Sequence, residues 1–228
     1  MAFDLKTFRT RSITAVIFTV IMLLGLMINI WGFMLLMLII HFGCWLEFIS
    51  LLKKIYGIKY LNYIVLGIFY ITLPIIMISD LRLTYIPGNA PTDNMLKVIP
   101  CGIVFSIWIN DTMAYLVGSF MGKHPLSKIS PKKTWEGTIG GGLLCIVIIS
   151  CTGYFTNFFT IKTWIVISAI AALFGTLGDL LESKIKRAAQ VKDSGTLMPG
   201  HGGFLDRFDS FLIAVPFVWL YTELFLKT

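Results

Sequence analysis

Charge is what this sequence has least of. Only 14% of its 228 residues are Asp, Glu, Lys or Arg, while 57% are hydrophobic; soluble domains carry about 25% charged residues. With a mean hydropathy of +0.83, a water-soluble globular domain is excluded. Cysteine is sparse as well. Cys44, Cys101, Cys145 and Cys151 all lie in apolar stretches without C-x-x-C spacing. Neither a disulfide framework nor a thiolate metal site is indicated, and all four read as small core residues. The three histidines are scattered, without the spacing of a zinc site. The period-2 alternation of a membrane barrel is also missing, and a bilayer admits only helices or closed barrels. The fold class is therefore all-α, a polytopic transmembrane helical bundle. No repeat or low-complexity segment occurs, and no polar stretch is long enough to fold outside the membrane.

What the sequence does have is apolar runs of about 18 residues or more, the length that crosses a bilayer. They fall at roughly 13–30, 32–52, 61–79, 98–120, 138–156, 163–182 and 205–226, so about seven spans are expected. The first follows Arg9 and Arg11 as a signal peptide would. No small-residue cleavage site comes after it, so it is expected to stay as a helix. The net charge of +7 is unevenly placed. With the N-terminus inside, fifteen of the nineteen cations fall on inner segments and only Arg82, Lys97, Lys162 and Lys227 on outer ones. That bias orients the chain by the positive-inside rule and removes any need for a nucleic-acid partner. For Lys53, Lys54 and Lys59 topology is explanation enough.

Polar chemistry divides the chain in two. Residues 1–97 are membrane helices with short connections, and residues 98–228 hold the polar groups that need explaining. In "WINDTMAYLVG", Asp111, Tyr115 and Gly118 share one helical face. An ionised Asp facing lipid costs at least about 2.5–3.5 kcal/mol, so Asp111 should face the bundle interior, as a functional group or as half of a polar pair with Asn110. In "SPKKTWEG", Ser130 reads as a helix N-cap and Pro131 as the first helical residue, which puts Lys132 and Lys133 in the first turn. Cations there oppose the helix dipole. They either mark topology alone or help to hold an anion with the free N–H groups of that turn.

Two further stretches stand out. In "GTLGDLLESKIKR", Asp179, Glu182, Ser183, Lys186 and Arg187 recur at spacings of three and four, on one face at the end of a span. In "PGHGGFLDRFD", a glycine-rich turn leads into the last span, with Asp206 and Asp209 three apart. Glycines let backbone approach a ligand. Carboxylates converging on a point suit a hard cation such as Mg²⁺ together with phosphate oxygens. His41 reads as a satisfied core residue, His124 as a loop residue, and Glu47 as a mid-span acid whose partner the sequence does not name. Charge concentrated where lipid begins suits a substrate with a phosphate in water and acyl chains in the bilayer.

The stretch Ser183 to Asp209 resembles the signature of the phosphatidate cytidylyltransferase family, also called CDP-diacylglycerol synthases. Ser183, Lys186, Arg187, Lys192, Asp193, Gly195, Gly200, His201, Gly202, Gly203, Asp206, Arg207 and Asp209 stand in its places without a gap. The block from Asp111 to Gly137 is similar to the family's second shared stretch, so the likeness covers roughly residues 108–212. The resemblance implies transfer of a cytidylyl group from CTP to phosphatidate, giving CDP-diacylglycerol and pyrophosphate with Mg²⁺. It also implies a second, potassium-type ion (K⁺) and a homodimer in the bacterial inner membrane, with its active-site loops facing the cytoplasm.

Carried residue by residue, the resemblance puts Asp179 and Asp206 at the metal, with Asp209, Lys192 and His201 beside them as catalytic residues. It gives substrate binding to Asp111, Lys132, Lys133, Ser183, Lys186, Arg187, Gly202, Gly203 and Arg207. His201 would donate a hydrogen bond or form the turn, because an attacking phosphate needs no strong base. Asp209 would orient Arg207 or the second ion. Family members often have more spans than seven, and residues 61–97 have room for a further short or re-entrant helix. The alternatives are a CTP-dependent lipid kinase of the dolichol or phytol type and an ion-coupled transporter. The transporter would line a path with Asp111, Asp179 and Asp206, but no inverted repeat supports one.

Overall fold

Long apolar runs bounded by polar caps become helices here. The computed structural model describes the backbone of residues 5–84, 92–196 and 202–227, and their side chains from residue 12 onward. Seven helices result among the described residues: α1 (Leu5–Met27), α2 (Ile30–Tyr56), α3 (Val65–Leu83), α4 (Asp93–Met121), α5 (Trp135–Thr156), α6 (Ile161–Ala188) and α7 (Leu205–Phe225). A 3₁₀ turn, Gly57–Tyr63, joins α2 to α3. Helices α2 to α7 are long and apolar enough to cross a membrane, and α1 is apolar over Ser12–Met27. Each predicted span overlies one helix, and α3 is the one membrane helix within 61–97 among the described residues. The protein is a helical polytopic membrane protein.

The helices start where side chains can accept the first free N–H groups. Asn29 accepts from the Gly32 N–H at 2.8 Å to start α2, and Thr134 accepts from the Gly137 N–H at 3.1 Å to start α5. Two compact units form: Met1–Thr72 with Ile185–Phe208, and Leu73–Lys184 with Asp209–Thr228. Their limits run differently from the division by polar chemistry at 97 and 98.

In the first unit α1 lies on α2, with Gly25 so close to Leu36 that a Cβ would overlap it. The His41 ring nitrogen Nε2 lies 3.0 Å from both the Thr72 hydroxyl and the Trp45 indole nitrogen. His41 is thus satisfied as expected, but half-buried where a core position was expected.

In the second unit α4 and α5 approach closely along a row of small residues, the packing that holds helices together in lipid. A Cβ on Gly137 or Gly141 would run into the Ala114 backbone, and one on Gly140 would meet Val117. Trp164 of α6 fills the space left by Gly102 and Gly153. Cys145 is buried, with Sγ 3.1 Å from the Ser106 carbonyl, whereas Cys151 is exposed on α5. At the far end of this unit, buried Arg82 pairs with Asp93, and Asp80 accepts from the Trp219 indole at 2.8 Å.

Candidate active site

The close packing of α4 on α5 fixes the loop between them. The Leu126 N–H donates to the Lys133 carbonyl at 2.7 Å, and the Trp135 N–H donates to the His124 carbonyl at 2.9 Å. An isolated bridge joins Pro125 and Thr134. Glu136, in the first turn of α5, accepts from the Lys123 and His124 N–H groups at 3.1 and 3.2 Å and lies 2.6 Å from His124 Nδ1. His124 therefore has a partner that its local sequence did not suggest. The closed loop also corrects the start of α5. Ser130 and Pro131 lie in a turn, where the Ser130 carbonyl accepts from the Lys133 N–H at 3.1 Å. The cap is Thr134, and Lys132 and Lys133 precede the helix. Cross-loop pairing outweighs the local Ser-Pro signal.

Lys133 points into a cavity of about 480 Å³ within the second unit, among Asn110, Asp111, Tyr115, Lys132 and Asp179. Asp111, Tyr115 and Gly118 line it together, as their shared helical face requires. The Lys133 ammonium pairs with Asp179 and is about 29% exposed. Burial pushes its pKa below the ordinary lysine value, while the nearby Asp111 and Asp209 carboxylates pull it back up.

Asp179 belongs to a denser acidic group. Among the described residues, Asp179, Glu182 and Asp209 each offer a carboxylate oxygen within 4.8 Å of the others. Glycine makes this possible. At Gly178 a Cβ would strike the Asp209 carbonyl and Ser210, so α6 and this part of α7 meet backbone to backbone. Ser183 donates to Asp179 Oδ1 at 3.3 Å. Sequence spacing places Glu182 on the correct face but does not predict its meeting with Asp209, which depends on helix packing.

The other predicted residues belong to the first unit. Lys186 donates to Asp206 Oδ1 at 2.5 Å. Asp206 Oδ2 accepts the N–H groups of Ser194 and Gly203, each at 2.8 Å, and also lies 2.8 Å from the Ser194 hydroxyl. Gly202 has φ +83°, a left-handed conformation that favours glycine, and a Cβ there would meet the Asp206 side chain. Arg187 donates to the Val191 carbonyl at 3.2 Å, tying down the turn after α6. Lys192 and Arg207 are exposed. His201 lies outside the described residues.

The sequence model described as "Cytidylyltransferase family" matches residues 54–225. The chain belongs to the cytidylyltransferase family. Among its relatives is the "Phosphatidate cytidylyltransferase" of Staphylococcus aureus (strain COL), 51% identical over 113 residues, which are 48% of this chain and 43% of the relative. Proteins of the same name from Staphylococcus haemolyticus (strain JCSC1435) and Staphylococcus epidermidis (strain ATCC 35984) are 50% and 45% identical over the same lengths. The chain thus matches less than half the length of these curated relatives.

Proposed function

We propose that this protein is a phosphatidate cytidylyltransferase, which joins CTP and phosphatidate into CDP-diacylglycerol and pyrophosphate. The observation that carries the reading is the meeting of three carboxylates beside Lys133, next to a cavity in a membrane-embedded cytidylyltransferase. The relatives' shared name supplies the lipid substrate. In this reaction a phosphatidate oxygen bonds to the α-phosphorus of CTP. The bond from that phosphorus to the bridging oxygen breaks, and pyrophosphate leaves with the electron pair. The nucleophile is already an anion, so the protein's task is to position phosphates and stabilise charge.

The chain's own residues fit those tasks. Lys133, with Lys132 beside it, would draw a phosphate into the cavity, where charge-assisted bonds are stronger than at an open surface. Asp179, Glu182 and Asp209 suit a hard divalent cation, since Mg²⁺ takes a few carboxylates and completes its shell with phosphate oxygens or water. Lys133 and a divalent ion also balance the charge of three ionised carboxylates. When bound, Mg²⁺ would stabilise the leaving pyrophosphate. Asp206 keeps its proposed ion-binding role through Oδ1 alone, because Oδ2 already accepts the Ser194 and Gly203 N–H groups and lies against the Ser194 hydroxyl. K⁺ as a second ion, the homodimer, the bacterial inner membrane and cytoplasmic active-site loops belong to the same proposal.

Purified protein in lipid, given phosphatidate, Mg²⁺ and CTP labelled at the α-phosphate, should yield labelled lipid. Label from the γ-phosphate in the lipid would instead mean a CTP-dependent lipid kinase and overturn the reading. Lys133→Ala should raise KM for CTP or phosphatidate, or lower turnover, without disturbing membrane insertion. Wild-type kinetics in a correctly inserted variant would leave Lys133 with topology as its only role.

A further inference from the structure

Glu47 is the mid-span acid without a partner in the local sequence, and it lies outside the residues 54–225 that match the family. Its carboxylate reaches the glycine-rich loop. Oε1 accepts the Phe204 N–H and Oε2 the Leu205 N–H, both at 2.9 Å, and the Ser194 hydroxyl lies 2.7 Å from Oε2. Phe204 and Leu205 open α7, so their N–H groups have no acceptor within the helix. A negative charge is also favoured at that end of the helix dipole. Ser194 links Glu47 to Asp206, which accepts from its N–H and in turn holds Lys186 and the Gly203 N–H.

Two signature glycines are shaped around this acid. A Cβ on Gly195 or on Gly203 would overlap the Glu47 carboxylate. The space that the sequence suggests is for a ligand is, at these two positions, filled by Glu47. One side chain of α2 therefore braces the loop at residues 194, 204 and 205.

We propose that Glu47 is a positioning residue, which fixes this loop so that Asp206 and Lys186 meet a phosphate-bearing substrate in one geometry. What is presented to the substrate rests on the cytidylyltransferase reading, whereas the bracing rests on the hydrogen bonds alone. Glu47→Gln tests both. It keeps the volume but turns an amide NH₂ toward N–H groups that need an acceptor. In full-length protein reconstituted in lipid, Glu47→Gln should lower kcat roughly 10- to 100-fold, the scale seen when a supporting partner of a site is removed. KM for phosphatidate should hold, and amide hydrogen exchange of peptides covering Ser194, Phe204 and Leu205 should accelerate. A residue that only fills space would leave Glu47→Gln like wild type in both measurements. Wild-type kcat overturns the positioning role even if exchange accelerates, and unchanged exchange overturns the bracing. If the wild-type protein makes no CDP-diacylglycerol, the functional reading fails. Exchange would then still decide the bracing.

Discussion

Asp179→Asn is expected to lower turnover at least ~10²-fold, the scale seen when a preorganised charge-stabilising contact is lost. Asp209→Asn is expected to match it. The sequence alone ranks Asp209 lower, as a residue that orients Arg207 or a second ion. The structure sets its carboxylate beside those of Asp179 and Glu182, within 4.8 Å, and so gives it an equal claim on the proposed cation. Asn keeps the size of either side chain and removes its charge. Because groups that serve one ion act as a unit, the double variant should lose far less than the two single losses multiplied. Mn²⁺, used as a spectroscopic probe in place of Mg²⁺, should bind more weakly to each variant. Near-normal turnover in well-folded Asp179→Asn protein would remove the shared-cation mechanism. Multiplicative losses in the double variant would mean that the two acids work separately.

Much of this arrangement is legible locally. Hydropathy locates all seven helices, because a run that must stay out of water is marked along its whole length. The face shared by Asp111, Tyr115 and Gly118 follows from 3.6 residues per turn, and all three line one cavity. What stays hidden depends on packing at long range. Glu47 and Ser194 are 147 positions apart, and no spacing rule links them. Ser130 and Thr134 both satisfy a capping preference. The choice of Thr134 follows from pairing across the loop, where His124 and Trp135 meet. The close approach of Gly137 and Gly141 to the Ala114 backbone likewise comes from packing between helices and not from their spacing.

Asp206→Asn should be as damaging as Asp179→Asn, for a reason that a second substitution can isolate. The Lys186 and Asp206 side chains are only 13% and 9% exposed. An asparagine amide cannot replace the carboxylate on both sides. With its oxygen toward the Ser194 and Gly203 N–H groups, its NH₂ faces the Lys186 ammonium. Reversed, it sets donor against donor. Either way a largely buried cation loses its counter-charge, and breaking a buried pair from one side costs about 3–5 kcal/mol. The expected result is a lower unfolding temperature together with at least a ~10²-fold fall in turnover. Adding Lys186→Gln removes the stranded charge, so most of the lost thermal stability should return. Turnover should not return, because both groups proposed to meet the substrate phosphates or an ion are then gone. Recovery of turnover along with stability in the double variant would reduce the pair to a structural contact and move the chemistry away from Asp206.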